Sequence, residues 1–99
     1  MFVMELTYTA PIESVEEQLD AHNAWLDGYY AAGIFLASGR KVPRDGGVIL
    51  AGGVSRAEIE RISAEDPFTL AGVCTYSITE FLATKTSADL ATVRENPVV

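Results

Sequence analysis

One histidine, His22, and one cysteine, Cys74, are the only imidazole and the only thiol in this sequence of 99 residues. Acid–base chemistry near neutral pH therefore falls to His22, the one side chain whose ordinary pKa lies there. Such a base works best beside a carboxylate, which fixes the imidazole tautomer and raises the basicity of the free nitrogen. Asp66, in Asp66-Pro67-Phe68, is the candidate partner. Ser38 and Arg40 stand two residues apart around Gly39, on one face of an expected strand. Glycine inside a strand signals a bulge or a close approach, and the planar fork of Arg40 suits a substrate carboxylate.

Each of these residues also has a plainer reading. A histidine on an apolar stripe is often a hydrogen-bonded core residue. Asp-Pro after a helix is a common turn opener. An arginine at a strand end is often simply solvated. Cys74 has no base near it in sequence and reads as an inert core thiol. Gly46-Gly47 and Gly52-Gly53 fit turn chemistry, since no phosphate-loop pattern accompanies them. Trp25, Tyr29 and Tyr30 read mainly as core or interface, with an aromatic pocket wall as the other option.

The elements that must position these groups follow from periodicity. Phe2, Met4, Leu6 and Tyr8 alternate with Val3, Glu5, Thr7 and Thr9, a strand ended by Pro11. Ser14-Val15-Glu16-Glu17 fits a capping box. Val15, Leu19, His22, Leu26 and Tyr29 then form one apolar stripe, predicting a single helix of about eighteen residues stopped at Gly33. Ile34 to Val42 reads as a second strand, Asp45-Gly46 as a hairpin turn and Val48 to Ala51 as a third strand. Ser55 caps a second helix ending near Glu65, and Gly72 to Leu82 is a fourth strand. Asp89 to Val93 suits one helical turn ended at Asn96-Pro97.

The order β-α-β, hairpin, β-α-β predicts an α+β, ferredoxin-like βαββαβ fold with an antiparallel sheet. It is expected to be a single domain over 1–99, with a core at 1–83 and a tail at 84–99. One sheet face, with Phe2, Met4, Leu6, Tyr8, Cys74, Tyr76 and Ile78, should meet the helices. The other, with Val3, Glu5, Thr7, Val73, Thr75, Ser77 and Thr79, is amphipathic and suits stacking on a second sheet. A chain this short buries a thin core on its own, so a homodimer is expected.

Composition narrows the function classes. Seven Lys and Arg against 14 Asp and Glu give a net charge of −7, so nucleic acid and anionic membranes are unfavourable partners. One cysteine and one histidine leave no disulfide framework and no multi-histidine or cysteine zinc site, so neither metal nor cofactor is expected. No signal peptide and no run able to span a bilayer is apparent, which points to the cytoplasm.

These residues also resemble a known family. Ala21-His22 with Trp25-Leu26 behind it, then Gly33 through Gly39 (Gly-Ile-Phe-Leu-Ala-Ser-Gly), Gly46-Gly47, Asp66-Pro67-Phe68 and Ala71-Gly72 are similar in order and spacing to the YCII-related (YciI-like) family. The resemblance spans roughly residues 1 to 83. It implies a dimeric α+β barrel, with His22 and Asp66 meeting as a catalytic dyad at a cleft and Ser38 and Gly39 lining it. Arg40 matches nothing in that pattern. One branch of the family resembles a lactone dehalogenase and is related in fold to muconolactone isomerases. The reaction class implied is cofactor-free proton abstraction beside a carbonyl, followed by elimination or isomerisation. His22 would be the base, Asp66 its orienting partner, and Ser38 and the Gly39 amide contacts for a substrate oxygen. The alternative is a non-catalytic, dimeric small-molecule-binding or accessory module using the same cleft.

Overall fold

A computed structural model describes residues 1–96. Four strands form one sheet: β1 (Phe2–Tyr8), β2 (Phe35–Arg40), β3 (Gly46–Ala51) and β4 (Cys74–Glu80), in the order β2-β3-β1-β4. Every neighbouring pair is antiparallel. β1 and β2 therefore run parallel with β3 between them, the split βαβ pattern expected from the sequence. β1 is central, and its period of two sorts its residues. Phe2, Met4 and Leu6 are buried against the helices, while Glu5 and Thr7 stand exposed on the opposite face.

The helical layer consists of α1 (Ile12–Glu17), α2 (Leu19–Ala31), α3 (Arg56–Glu65) and the single turn α4 (Pro67–Leu70). Two expectations fail here. Ser14 is not an N-cap, because its amide already bonds the Pro11 carbonyl at 2.9 Å within the first turn of α1. Pro11 stands at the N-cap instead; it has no amide of its own to satisfy, and the helix opens one turn early without a side-chain cap. Nor is the first helix continuous. At Gln18 the chain tightens to an i→i+3 bond on Val15, with ψ near 1°, and divides the helix in two. Val15 and His22 nevertheless both turn inward. The remaining signals hold: Gly33 stops α2 at φ +76°, and the Ser55 hydroxyl accepts the Glu58 amide at the start of α3.

β2 carries a bulge between Phe35 and Ala37, not at Gly39. The bulge shifts the parity of the strand. Phe35 lies opposite Ala51 in the core, yet Ser38 and Arg40, rather than Ala37 and Gly39, fall opposite the helix-facing Ile49 and Gly47. Trp25, Tyr29 and Tyr30 from α2 all pack on the Phe35 ring, at 5.2, 5.2 and 6.0 Å. Beyond β4 a 3-10 turn covers Ala88–Val93; the Pro97 expected to end it lies outside the described residues. No helix among the described residues is long and apolar enough to cross a membrane.

Candidate functional site

The site forms where α2 and α4 come together over the sheet. Asp66 lies between α3 and α4 and has no solvent exposure at all. Proline at the next position breaks α3, and the Asp66 carboxylate caps the short turn that follows by accepting the Phe68 amide at 2.9 Å. The same oxygen, Oδ1, lies 2.8 Å from His22 Nδ1. The other, Oδ2, accepts the Tyr76 hydroxyl at 2.5 Å. Three donors thus converge on one enclosed carboxylate, the condition under which a buried charge is tolerated.

This geometry determines the imidazole tautomer. A carboxylate only accepts, so the proton in the His22–Asp66 bond sits on Nδ1. Nε2 then keeps its lone pair. Among the described residues it has no hydrogen-bond partner, and it is not among the sealed, unpartnered polar atoms. The ring is clamped in place. Phe68 stacks on it with centroids 3.9 Å apart and planes within 8°, and Trp25 packs at 5.6 Å. Tyr76 is fixed as a donor, because burial and then the neighbouring Asp66 charge push its phenol far above the ordinary range. Burial and the same charge push the Cys74 thiol up to about 11, in keeping with an inert thiol.

His22 borders a cavity of about 130 Å³. Its apolar wall includes Leu6, Leu26, Ile49 and Phe68, and its polar rim is Tyr8, Asn23, Ser38 and Arg40. Gly39, Gly46 and Gly47 complete one side with backbone. All five residues singled out in the sequence therefore lie at one place: His22, Ser38, Gly39 and Arg40 on the cavity, and Asp66 directly behind His22. The Ser38 hydroxyl is held 2.6 Å from the Tyr30 hydroxyl.

Turn chemistry does not account for Gly46. A Cβ there would stand 1.8 Å from the Leu6 carbonyl oxygen, so glycine is required by the closeness of β1 and β3. Three contributors were not singled out for the site in the sequence. Tyr76 was placed correctly on the helix-facing side of β4, but nothing in its spacing marks it as a partner of Asp66. Asn23 and Tyr8 carry no signal beyond their neighbours His22 and Leu6.

The sequence profile of the YCII-related domain matches residues 1–82. The chain belongs to the YCII-related family. No curated protein matches it. Among solved structures, it is similar to 5-chloro-2-hydroxyhydroquinone dehydrochlorinase from Burkholderia phenoliruptrix, in complex with 2,5-dihydroxybenzoquinone. The TM-score is 0.69 at 18% identity, covering 82% of this chain and 93% of that one. At that identity the likeness establishes a common fold.

Proposed function

We propose that this YCII-related chain is a cofactor-free lyase or isomerase for a small carbonyl or lactone-type molecule. His22 is its general base and Asp66 the residue that orients it. The observation that carries this reading is the enclosed Asp66 carboxylate. One of its three donors is the chain's only imidazole, that of His22, which also lines a cavity. In the reaction, Nε2 takes a proton from carbon beside the carbonyl, and the C–H electron pair moves into the carbonyl as an enolate. A leaving group on the adjacent carbon then departs, or the proton returns at another carbon. Negative charge on Asp66 stabilises the imidazolium as it forms. Ser38 and Gly39 line the same space and suit a developing oxyanion. Loss of hydrogen chloride, the reaction in the similar solved structure's name, is an elimination of this type.

The working unit in this reading is a homodimer. Support comes from the open sheet face, where half-buried Val3 and Leu50 and the 38%-exposed Val48 lie among Glu5, Thr7, Thr75 and Ser77. A second copy stacked there would bury this row.

The test is solvent-deuterium uptake and turnover over a panel of chlorinated quinol, lactone and keto-acid substrates. His22→Gln is expected to lower the rate by about 10²- to 10⁴-fold with the fold unchanged by circular dichroism. Full turnover by His22→Gln would refute the role of the base. Saturable binding across the panel, without exchange or turnover, would assign the cavity to a non-catalytic binding module.

A further inference from the structure

Arg40 is the one charged side chain lining the cavity, and neither the fold nor the dyad requires it there. Lys41, Arg44, Arg56 and Arg61 each meet a carboxylate at 2.8–3.5 Å. Arg40, like Lys85 and Arg94, makes no ion pair among the described residues, and of these three it alone lines the His22 cavity. The chain carries twice as many acids as bases, 14 against 7. Chance placement would therefore favour a carboxylate at any charged position, yet no acidic side chain lines this cavity. Asp66, behind His22, is sealed and already bonded to three donors. Arg40 is therefore the one formally charged side chain lining the cavity, in a protein of net charge −7.

Arg40 faces this space because of the bulge in β2. With Phe35 inward and no bulge, Ala37 and Gly39 would share that face. The extra residue brings Ser38 and Arg40 round instead. Bulges beside sites re-aim side chains in this way. The cavity also sets a size. Its volume of about 130 Å³ is close to the roughly 150 Å³ that holds one benzene ring. Leu6, Leu26 and Phe68 give that ring an apolar wall.

We propose that the cavity selects a single-ring carboxylate, its anionic group paired with the Arg40 guanidinium and its ring against Leu6, Leu26 and Phe68. This rests on the reading of the cavity as the substrate site, but not on which residue removes a proton. Arg40 is exposed at the strand end, so the carboxylate sits at the mouth and stays partly hydrated. The pairing is then worth about a tenfold preference, the low end for a charge-assisted hydrogen bond.

Benzoate and its neutral counterpart benzamide are the probes, followed through the backbone amides of Gly39, Gly46 and Gly47 in ¹H–¹⁵N spectra of the full chain. Benzoate is expected to bind about tenfold more tightly than benzamide, and added salt should weaken benzoate alone. Arg40→Gln should bring benzoate down to the affinity of benzamide, and Arg40→Lys should fall between, since an ammonium lacks the fork. These readouts are of binding to the parent chain and its Arg40 variants, with no proton transfer measured, which separates this proposal from the role of the base. Equal binding of the two probes, benzoate affinity unchanged in Arg40→Gln, or no cavity shifts in the parent chain would each overturn the proposal and leave the His22 experiment unaffected.

Discussion

Replacing Asp66 by asparagine removes one charge and almost nothing else, and the geometry gives the size of the effect. Oδ1 accepts both His22 Nδ1 at 2.8 Å and the Phe68 amide at 2.9 Å, while Oδ2 accepts only the Tyr76 hydroxyl. Asparagine with its carbonyl in the Oδ1 position keeps the first two bonds. Its amide nitrogen then faces a hydroxyl that can turn and accept. The fold and the imidazole tautomer should therefore survive. The three bonds become neutral, at about 1 kcal/mol each, so the predicted loss of stability is about 1–3 kcal/mol. Catalysis suffers more. An imidazolium forming with its charge about 4 Å from the carboxylate gains about 4 kcal/mol at an effective dielectric near 20. Losing that interaction slows proton abstraction by about 10³-fold, at roughly 1.4 kcal/mol per decade. The assay is solvent-deuterium uptake at the carbon beside the substrate carbonyl, with thermal unfolding measured in parallel. A rate within about threefold of the parent chain, in a folded Asp66→Asn variant, would refute the electrostatic part of the mechanism.

Other expected outcomes concern the residues around this carboxylate and the sheet below it. Tyr76→Phe leaves one oxygen of a fully enclosed carboxylate without a donor and should cost about 2–3 kcal/mol in chemical denaturation. Gly46→Ala forces a methyl group into the Leu6 carbonyl, and because the obstacle is backbone it should cost about 3 kcal/mol or more. Ser55→Ala should lose about 1 kcal/mol with no change in activity, as expected of a cap remote from the cavity. The Cys74 thiol is pushed up to about 11, so it stays protonated throughout the neutral range. Iodoacetamide should leave it unmodified in the folded chain at pH 8 and alkylate it after denaturation. Sedimentation should show a dimer, and Val48→Glu on the open sheet face should shift it towards monomer.

The sheet was legible because its face pattern is strict. Phe2, Met4 and Leu6 alternate with Glu5 and Thr7 in sequence as they do in the fold. The Asp66 turn was legible too, since Asp-Pro is local chemistry whose consequence spans only a few residues. The start and break of the first helix were not. Ser14 has the residue type of a cap, but Pro11 opens the helix a turn earlier, and nothing in the type of Gln18 announces a tightened turn. Ser38 and Arg40 were rightly placed on one face, although of the bulge or close approach expected at Gly39 the bulge lies near Leu36. The carboxylate's third donor, Tyr76, was invisible because it depends on how β4 lies beneath α4, a long-range relation that no local spacing encodes. Gly46 was misread for a related reason: its constraint is the neighbouring strand rather than its own turn.

The central claim is that Asp66 holds the proton of the neutral His22 ring on Nδ1 and leaves Nε2 as a free lone pair at the cavity. Two-bond ¹H–¹⁵N spectra of the imidazole test this directly, and a single histidine makes the assignment unambiguous. The account predicts one protonated nitrogen at Nδ1 and one unprotonated nitrogen at Nε2 in the neutral ring. A neutral ring carrying its proton on Nε2, or exchanging evenly between the two nitrogens, would contradict it.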